Sequence, residues 1–239
     1  QDRRLTVLAN NLANVDTVGF KRQLAICQAR YTEPVSRGLE STGSGRWPDL
    51  SGGVVVSMTK TDFSSGPLKE TRNPTDFAIR GEGFFTVQKE NEVFLTRAGN
   101  FQLNGKGQLV TQFGSDQYLV LNDAGQPIVL DGSRPWRVNP QGVVEQQGLV
   151  QNIAVVRPAS KDSLLPVGEN LFRATSQPEP IPLAQRQVAQ GYLEMSSVQP
   201  TLAMVELLEA SRLLEANLAM VQTQDQMLAN LFSRVLRTA

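Results

Sequence analysis

The chain has 239 residues, in which 23 Lys and Arg balance 23 Asp and Glu, with one Cys and no His. A neutral balance argues against a protein that binds nucleic acid by covering its phosphates, and against a polybasic protein of the membrane surface. Without His there is no Ser-His or Cys-His nucleophile pair and no His-bound zinc, and the single Cys27 excludes an intrachain disulfide. No apolar run approaches the ~18 residues needed to cross a bilayer. We expect no cofactor, no metal, no nucleic-acid partner and no insertion into a membrane.

The chain opens on Gln1 rather than Met, so we expect the natural N-terminus to lie further upstream. A first amphipathic helix is predicted near this start. Leu5, Leu8, Leu12 and Val15 follow the 3-4-3 spacing of a coiled-coil seam, the line of positions that faces a partner helix. The pattern ends before Gly19, where β-branched residues and glycine favour leaving the helix.

A longer helix is predicted at the far end of the chain. After Pro200, neither Gly nor Pro occurs through Ala239, and apolar residues recur every seven positions. Residues 201–236 would form a rod on the order of 50 Å long at about 1.5 Å per residue. The apolar stripe of this helix consists of Leu207, Leu214, Leu218, Val221, Leu228, Leu231 and Val235. Asn217 and Gln224 are polar seam positions, which usually fix register at some cost in stability.

Between the two helices the sequence is typical of strands and turns. Short β-rich segments such as Val54–Val56 and Phe84–Val87 alternate with turn residues such as Asn104-Gly105 and Asp131-Gly132. This spacing, with no helical pattern between the segments, predicts an all-β domain over residues 75–176.

The predicted fold class is α+β, in which the N- and C-terminal helices form a coiled-coil-like assembly domain that carries an inserted all-β domain. The assembly domain takes residues 1–33 and the heptad helix at 201–239. Residues 34–74 are expected to be an extended, Gly-rich linker with connecting strands, mobile over 34–53. The Pro-rich segment at 177–200 returns the chain to the last helix, as polyproline II over 177–183.

The unequal length of the two stripes predicts that this protein contacts other subunits. Each apolar stripe must be buried, and the shortest route is to pack the two helices together. The C-terminal stripe is much longer, so part of it has no partner within the chain. The residues expected to contact neighbouring subunits are Leu5, Leu8, Leu12, Val15, Leu207, Leu214, Leu218, Val221, Leu228, Leu231 and Val235.

The sequence carries weak signals for catalysis. The Gly81-Glu82-Gly83 segment lacks the third glycine and the following helix of a nucleotide-binding loop, which favours a β-turn. Asp62, Asp76 and Glu82 lie close enough in sequence to form a glycosidase pair, although Asp and Glu in a turn-rich chain are usually surface residues. We expect no catalytic residue and no enzymatic activity.

Three blocks of sequence, in order along the chain, resemble the bacterial flagellar rod and hook family. The first is LANNLANVDTVGFK (residues 8–21), and the second joins TDFSSGPL (61–68) to NPTDFAIRGEGFF (73–85). The third is QGYLEMSSVQP (190–200), which leads into the heptad helix. One departure is Arg72, at a position where the family often has Gly, so this turn is expected to differ in detail.

The resemblance implies a structural subunit of the flagellar basal-body rod. Its terminal helices would pack with copies of itself and with neighbouring rod proteins into a hollow drive shaft that transmits torque. It also implies a periplasmic rod location and passage through the flagellar type III export apparatus without a cleaved signal peptide. The last helix and the 61–68 block are slightly closer to proximal-rod than to distal-rod proteins.

Two other interpretations remain open at this point. A peptidoglycan-acting enzyme outside the cytoplasm, with a helical oligomerisation stalk, would need two close carboxylates at a cleft. An adhesin-like β domain on a coiled-coil stalk would form a closed oligomer of few subunits. A distal-rod or hook subunit of the same family is a further alternative.

Overall fold

The computed structural model describes residues 2–29, 54–90, 92–112 and 117–237. The loop predicted over 34–53 lies outside these residues. The chain forms two compact units. The first, called here the helical unit, takes the described residues of 1–13, 23–62 and 199–239; the second, the β unit, takes those of 14–22 and 63–198. The domain boundaries expected from the sequence stay a prediction, because contacts alone do not show what folds independently.

The helical unit contains two helices and a pair of strands. Helix α1 (Asp2–Ala13) contacts helix α2 (Pro200–Arg237) and both strands, β1 (Gln23–Ala29) and β2 (Val54–Thr61). The strands pair antiparallel, with a bulge between Ile26 and Cys27. Proline at the first position of α2 fits the start of a helix, where its missing N–H leaves no hydrogen bond unmade. The predicted terminal helices are therefore present, while a coiled-coil pairing stays a prediction.

The β unit is built from sixteen short strands. They are β3 (Leu68–Glu70), β4 (Phe77–Ile79), β5 (Phe84–Lys89), β6 (Glu92–Thr96), β7 (Phe101–Leu103), β8 (Leu109–Thr111), β9 (Leu119–Val120), β10 (Arg137–Val138), β11 (Val143–Gln146), β12 (Leu149–Asn152), β13 (Val155–Arg157), β14 (Leu164–Gly168), β15 (Leu171–Ala174), β16 (Glu179–Pro180), β17 (Val188–Gln190) and β18 (Tyr192–Glu194). The described fold is thus α+β with a mostly β middle, as the sequence predicts.

Antiparallel pairing joins these strands into four sheets. The largest runs in the order β14-β15-β6-β5-β9-β8-β7, and β13 pairs with both β5 and β16 beside this path. Strands β10, β11 and β12 form a second sheet, while β17 pairs with β4 and β18 pairs with β3. The last two pairs bring the segment just before α2 back onto the start of the β unit.

Aliphatic side chains make up most of the main core of the β unit, and Phe77, Phe85, Phe94 and Phe101 are buried among them. Phe77, Phe85 and Phe101 are almost fully buried, and the ring of Phe101 lies 5.4 Å from Phe85 and 6.0 Å from Phe77. A smaller cluster gathers Phe84 and Phe172, with the ring of Phe63 packed against both. Edge-to-face rings at such distances add to the gain from burying apolar area.

The predicted turn at Asn104-Gly105 is present, with a different glycine in the left-handed conformation. The Asn104 side-chain Oδ1 accepts hydrogen bonds from the backbone N–H groups of Lys106 and Gln108, both at 2.9 Å. Gly107, with φ of 74°, takes the left-handed conformation. Asparagine bonded to its own following backbone in this way favours a turn over a continued strand.

Two segments differ from the sequence-based expectation. Within the predicted polyproline stretch, Glu179 and Pro180 pair with β13, and the Ile181 N–H donates to the Val155 carbonyl at 3.0 Å. Proline is tolerated here because, among the described strands, this one pairs with β13 alone, so not every backbone N–H has to donate a hydrogen bond to a neighbouring strand. Arg72, at the turn expected to differ in detail, has φ of 59°, a left-handed conformation that glycine adopts freely.

We predict that Phe85→Ala destabilises the β unit by about 3–5 kcal/mol, because it leaves a cavity among fully packed rings. Urea unfolding followed by the fluorescence of Trp136, which packs against this core, measures the change in a Trp47→Phe background. Val93→Ala, at a side chain that is 48% exposed, is the matched control and should cost less than about 1 kcal/mol. Equal losses in the two variants would contradict this assignment of the core.

Candidate assembly interface

The covered face of α2 is narrow and lies in its first half. Ala203 and Ala210, seven residues apart, are buried, and Leu207 and Leu214 beside them are half-buried. Small side chains at this spacing let another element approach the helix backbone closely. The contacts of α1 with α2 identify α1 as a packing partner of this helix within the helical unit.

Beyond Leu214, the described part of α2 is exposed on every face. The predicted stripe residues Leu218, Val221, Leu228 and Leu231 are between 52% and 59% exposed. Met220, Met227 and Phe232 add further exposed apolar surface, with Phe232 at 67%. Contiguous apolar surface of this extent on a helix marks an interaction site.

Within the described residues, α1 is much shorter than α2. Helix α1 has 12 residues and α2 has 38, which correspond to about 18 Å and about 57 Å at 1.5 Å per residue. The described residues of α1 therefore match at most about a third of the length of α2. This matches the sequence-based expectation that the C-terminal stripe exceeds its intrachain partner.

The predicted stripe of α1 is only partly covered. Leu8 is buried, whereas Leu5, Leu12 and Val15 are half-buried, and Val15 lies beyond the last residue of the helix. The side chain of Val235 lies outside the described residues. Whether any of these residues contacts a neighbouring subunit stays a prediction, because the structure holds a single chain.

Asn11 is a buried residue of α1 that the heptad pattern did not identify. Its side-chain amide donates to the Gln23 carbonyl at 2.7 Å, and its Oδ1 accepts from the Gln23 N–H at 2.8 Å. These two hydrogen bonds satisfy the backbone of the first residue of β1, as a neighbouring strand would. Asn11 therefore fixes where β1 begins relative to α1.

A buried ion cluster in the β unit is the second feature that the sequence did not reveal. Lys21 Nζ lies 2.6 Å from Glu194 Oε1, and Arg97 Nη1 lies 3.1 Å from Glu194 Oε2. The Lys21 and Glu194 side chains are 1% exposed and that of Arg97 is 4% exposed. Buried charges of this kind must be paired and hydrogen-bonded to be tolerated.

Backbone groups complete the cluster. The Gly66 N–H donates to Glu194 Oε1 at 3.0 Å, and Lys21 Nζ also donates to the Ser64 carbonyl at 2.7 Å. Arg97 donates to the carbonyls of Ile79 and Gly81. Burial lowers the pKa of Arg97, and the charge and hydrogen bond of Glu194 oppose this shift. A guanidinium remains protonated in proteins, so Arg97 is a fixed cation here.

Close backbone approach beside this cluster explains two glycines of the quoted blocks. The Gly19 N–H donates to the Glu194 carbonyl at 2.7 Å, with φ of 68°, and a Cβ on Gly19 would overlap the backbone of Ala98. A Cβ on Gly66 would likewise overlap the Met195 carbonyl. Only glycine allows these segments to meet at these distances, so the three quoted blocks contribute to one packing arrangement in this chain.

The carboxylates that a glycosidase would need are each held by other groups. Glu82 lies 3.4 Å from Arg157 Nε and 3.5 Å from Lys161 Nζ, and Asp76 accepts a hydrogen bond from the Asn73 side chain at 3.1 Å.

Within the described residues, no group of three or more His, Cys, Asp or Glu could hold a metal ion. No described helix is both long and apolar enough to cross a bilayer.

We predict that Glu194→Ala destabilises the β unit by about 3–5 kcal/mol, because it leaves Lys21 and Arg97 buried without a counter-charge. Glu194→Gln keeps an acceptor for the Gly66 N–H and should lose less. Glu179→Ala, at an exposed residue, is the control and should stay within about 0.5 kcal/mol. Urea unfolding followed by Trp136 fluorescence ranks the three variants. A loss below about 1 kcal/mol for Glu194→Ala would contradict the role given to this cluster.

Three family models match the chain at the segments that these features involve. Residues 1–21 match the model described as flagella basal body rod protein. Residues 78–148 match the flagellar hook protein FlgE/F/G D1 domain, and residues 189–234 match the flagellar basal body rod FlgEFG protein C-terminal model. Lys21, Arg97 and Glu194 each lie in a different one of these three matches.

Relatives cover nearly the whole chain. It is 34% identical to the flagellar basal-body rod protein FlgF of Caulobacter vibrioides over 90% of this chain and 84% of that protein. It is 33% identical to the flagellar basal-body rod protein FlgG of Buchnera aphidicola over 97% of this chain and 94% of that protein. The FlgG protein of Bacillus subtilis is 29% identical over 95% of this chain. The chain therefore belongs to the flagellar basal-body rod protein family.

Proposed function

We propose that the chain is a structural subunit of the flagellar basal-body rod that polymerises through its terminal helices into a hollow, torque-transmitting shaft. The main observation behind this proposal is the row of exposed apolar side chains along α2 between Leu218 and Phe232. The described residues of this chain leave this surface exposed, and we infer that other subunits cover it. A contact between different faces of identical subunits that does not close into a ring produces an open helical filament.

A structural role without catalysis agrees with the family and with the chemistry of the described side chains. The relatives are named as rod proteins, and Asp76 and Glu82 each interact with neighbouring side chains. We infer partners that are copies of this chain and neighbouring rod proteins, and a periplasmic position reached through the flagellar type III export apparatus without a cleaved signal peptide. We infer no nucleic-acid partner and no membrane insertion.

We predict that Val221→Asp combined with Leu228→Asp abolishes rod assembly and motility while leaving the isolated chain folded. Both side chains are already more than half exposed, so the change costs the single chain little, whereas a buried carboxylate in an assembled interface is costly. Soft-agar motility and electron microscopy of purified basal bodies measure assembly, and circular dichroism measures the helix content of the isolated chain.

The matched control is Gln222→Asp combined with Gln226→Asp, which adds the same two charges to exposed polar positions of the same helix. This control should remain motile if the apolar stripe is the interface. A motile Val221→Asp, Leu228→Asp strain that builds complete rods would contradict assembly through α2.

We further propose a proximal rather than a distal position in the rod, which rests on the likeness of residues 61–68 and of the start of α2 to proximal-rod proteins. A short tag in the exposed Asp131–Ser133 turn should appear by cryo-electron microscopy of basal bodies at the proximal part of the central shaft. Tag density confined to the distal part would overturn the position alone. Tag density away from the shaft would overturn the rod assignment.

A further inference from the structure

A charged pocket of about 390 Å³ lies in the β unit, and neither the core nor the helices account for it. Its walls come from three loops and from Arg97; the lining residues used here are Phe63, Glu82, Phe84, Arg97, Arg157 and Lys161. The volume falls at the lower end of the range of ligand-binding pockets, about 300–1,000 Å³. It has room for a few side chains, but not for a folded element.

The charged side chains that line the pocket favour an anionic occupant. Arg97, Arg157 and Lys161 are cations, whereas Glu82 is a single carboxylate. Glu82 pairs with Arg157 and Lys161 at 3.4 Å and 3.5 Å, and all three side chains are at least half exposed. Exposed pairs at such distances contribute little stability. A second carboxylate can therefore bind Arg157 and Lys161 without disrupting a strong interaction.

Arg97, which lines the pocket, carries a buried group without a partner. Its Nη1 and Nη2 donate to Glu194 and to two backbone carbonyls, but its Nε is buried and has no hydrogen-bond partner within the described residues. A buried polar atom without a partner is uncommon and calls for an explanation. Because Arg97 lines the pocket, this unpartnered group lies beside the proposed site.

The remaining wall of the pocket is apolar. The Phe84 ring is buried and that of Phe63 is half-buried, and the two rings lie 5.7 Å apart. The matching occupant therefore combines a carboxylate with a neighbouring apolar side chain, which is the chemistry of an acidic peptide segment.

The turn between β14 and β15 of this chain has that chemistry. Glu169 is exposed at its tip, and no ion pair or hydrogen bond of its side chain occurs among the described residues. Leu165 and Val167 in β14 are 52% and 51% exposed. Strand β14 is also the end strand of the largest sheet, so this turn is accessible to another molecule.

We propose that the pocket of one subunit binds the β14–β15 turn of a second copy of this chain. The Glu169 carboxylate of the second copy pairs with Arg157 and Lys161, and Val167 of the second copy packs against the rings of Phe63 and Phe84. The two surfaces differ, so the contact is heterologous and can repeat from subunit to subunit. This inference rests on the proposed assembly of the chain with copies of itself.

Disulfide cross-linking in the assembled rod tests the contact. In a Cys27→Ser background, Ala159→Cys in the pocket wall and Val167→Cys beside the tip leave all the proposed ionic groups intact. Mild oxidation of purified basal bodies should give a ladder of covalent multimers. The control pair, Ala159→Cys with Ser133→Cys in an exposed turn elsewhere, should stay monomeric. A monomer with an internal 159–167 disulfide, or cross-links to a different protein alone, would overturn the proposal.

Charge reversal tests the chemistry of the same contact. Arg157→Glu with Lys161→Glu should lower the cross-linking yield about tenfold, because like charges then face each other across the interface. Adding Glu169→Lys should restore part of the yield. Arg134→Glu, at an exposed arginine outside the pocket, should leave the yield unchanged. An unchanged yield after Arg157→Glu with Lys161→Glu would overturn the ionic contact.

A solution experiment separates this proposal from the rod assignment. A cyclised peptide of residues 163–172 should bind the purified full chain in a fluorescence-polarisation titration, and the Glu169→Gln peptide should bind about tenfold more weakly. If the peptide does not bind, and rods form normally but do not cross-link, the pocket contact is overturned. The rod assignment then remains intact. Basal bodies that lack the protein would overturn the rod assignment, and the peptide titration would then decide the pocket contact by itself.

Discussion

The structure of the β unit depends on the burial of one carboxylate. Glu194 accepts hydrogen bonds from Lys21, Gly66 and Arg97 and is almost completely shielded from water. Without this carboxylate, Lys21 and Arg97 would be buried charges with no counter-charge, and burying an unpaired ion is costly. The segments that carry them, which span 173 positions between Lys21 and Glu194, must therefore come together as a set.

This arrangement explains why the quoted sequence blocks occur at the two ends and in the middle of the chain. Gly19, Lys21, Gly66 and Glu194 come from blocks far apart in sequence, yet they meet at one place in the β unit. The unit also has its own hydrophobic core around Phe85. Among the described residues, no side chain of α2 belongs to this core.

The two surfaces proposed for assembly differ in what they contribute physically. The apolar stripe of α2 supplies adhesion that is roughly proportional to the area removed from water, but it discriminates poorly between positions along the helix. A charged pocket that accepts one carboxylate contributes less binding free energy than the apolar stripe. It fixes the relative orientation of two subunits more strictly, because like charges placed opposite each other are strongly disfavoured. A helical polymer needs both properties, since every subunit must bind and must bind in the same register.

The sequence by itself determined the elements whose signals are local. The absence of Gly and Pro after Pro200, together with the seven-residue repeat, predicted α2, and alternating β-rich and turn segments predicted the mostly β middle. Comparing the lengths of the two stripes also predicted that much of α2 lacks an intrachain partner. Only the tertiary structure decided that Asn11 is buried, that Glu179 and Pro180 pair with β13, and that Lys21, Arg97 and Glu194 form one cluster. Periodicity reports how neighbouring residues share a face, whereas the partner of a buried charge is set by contacts between residues far apart in sequence, which no local pattern records.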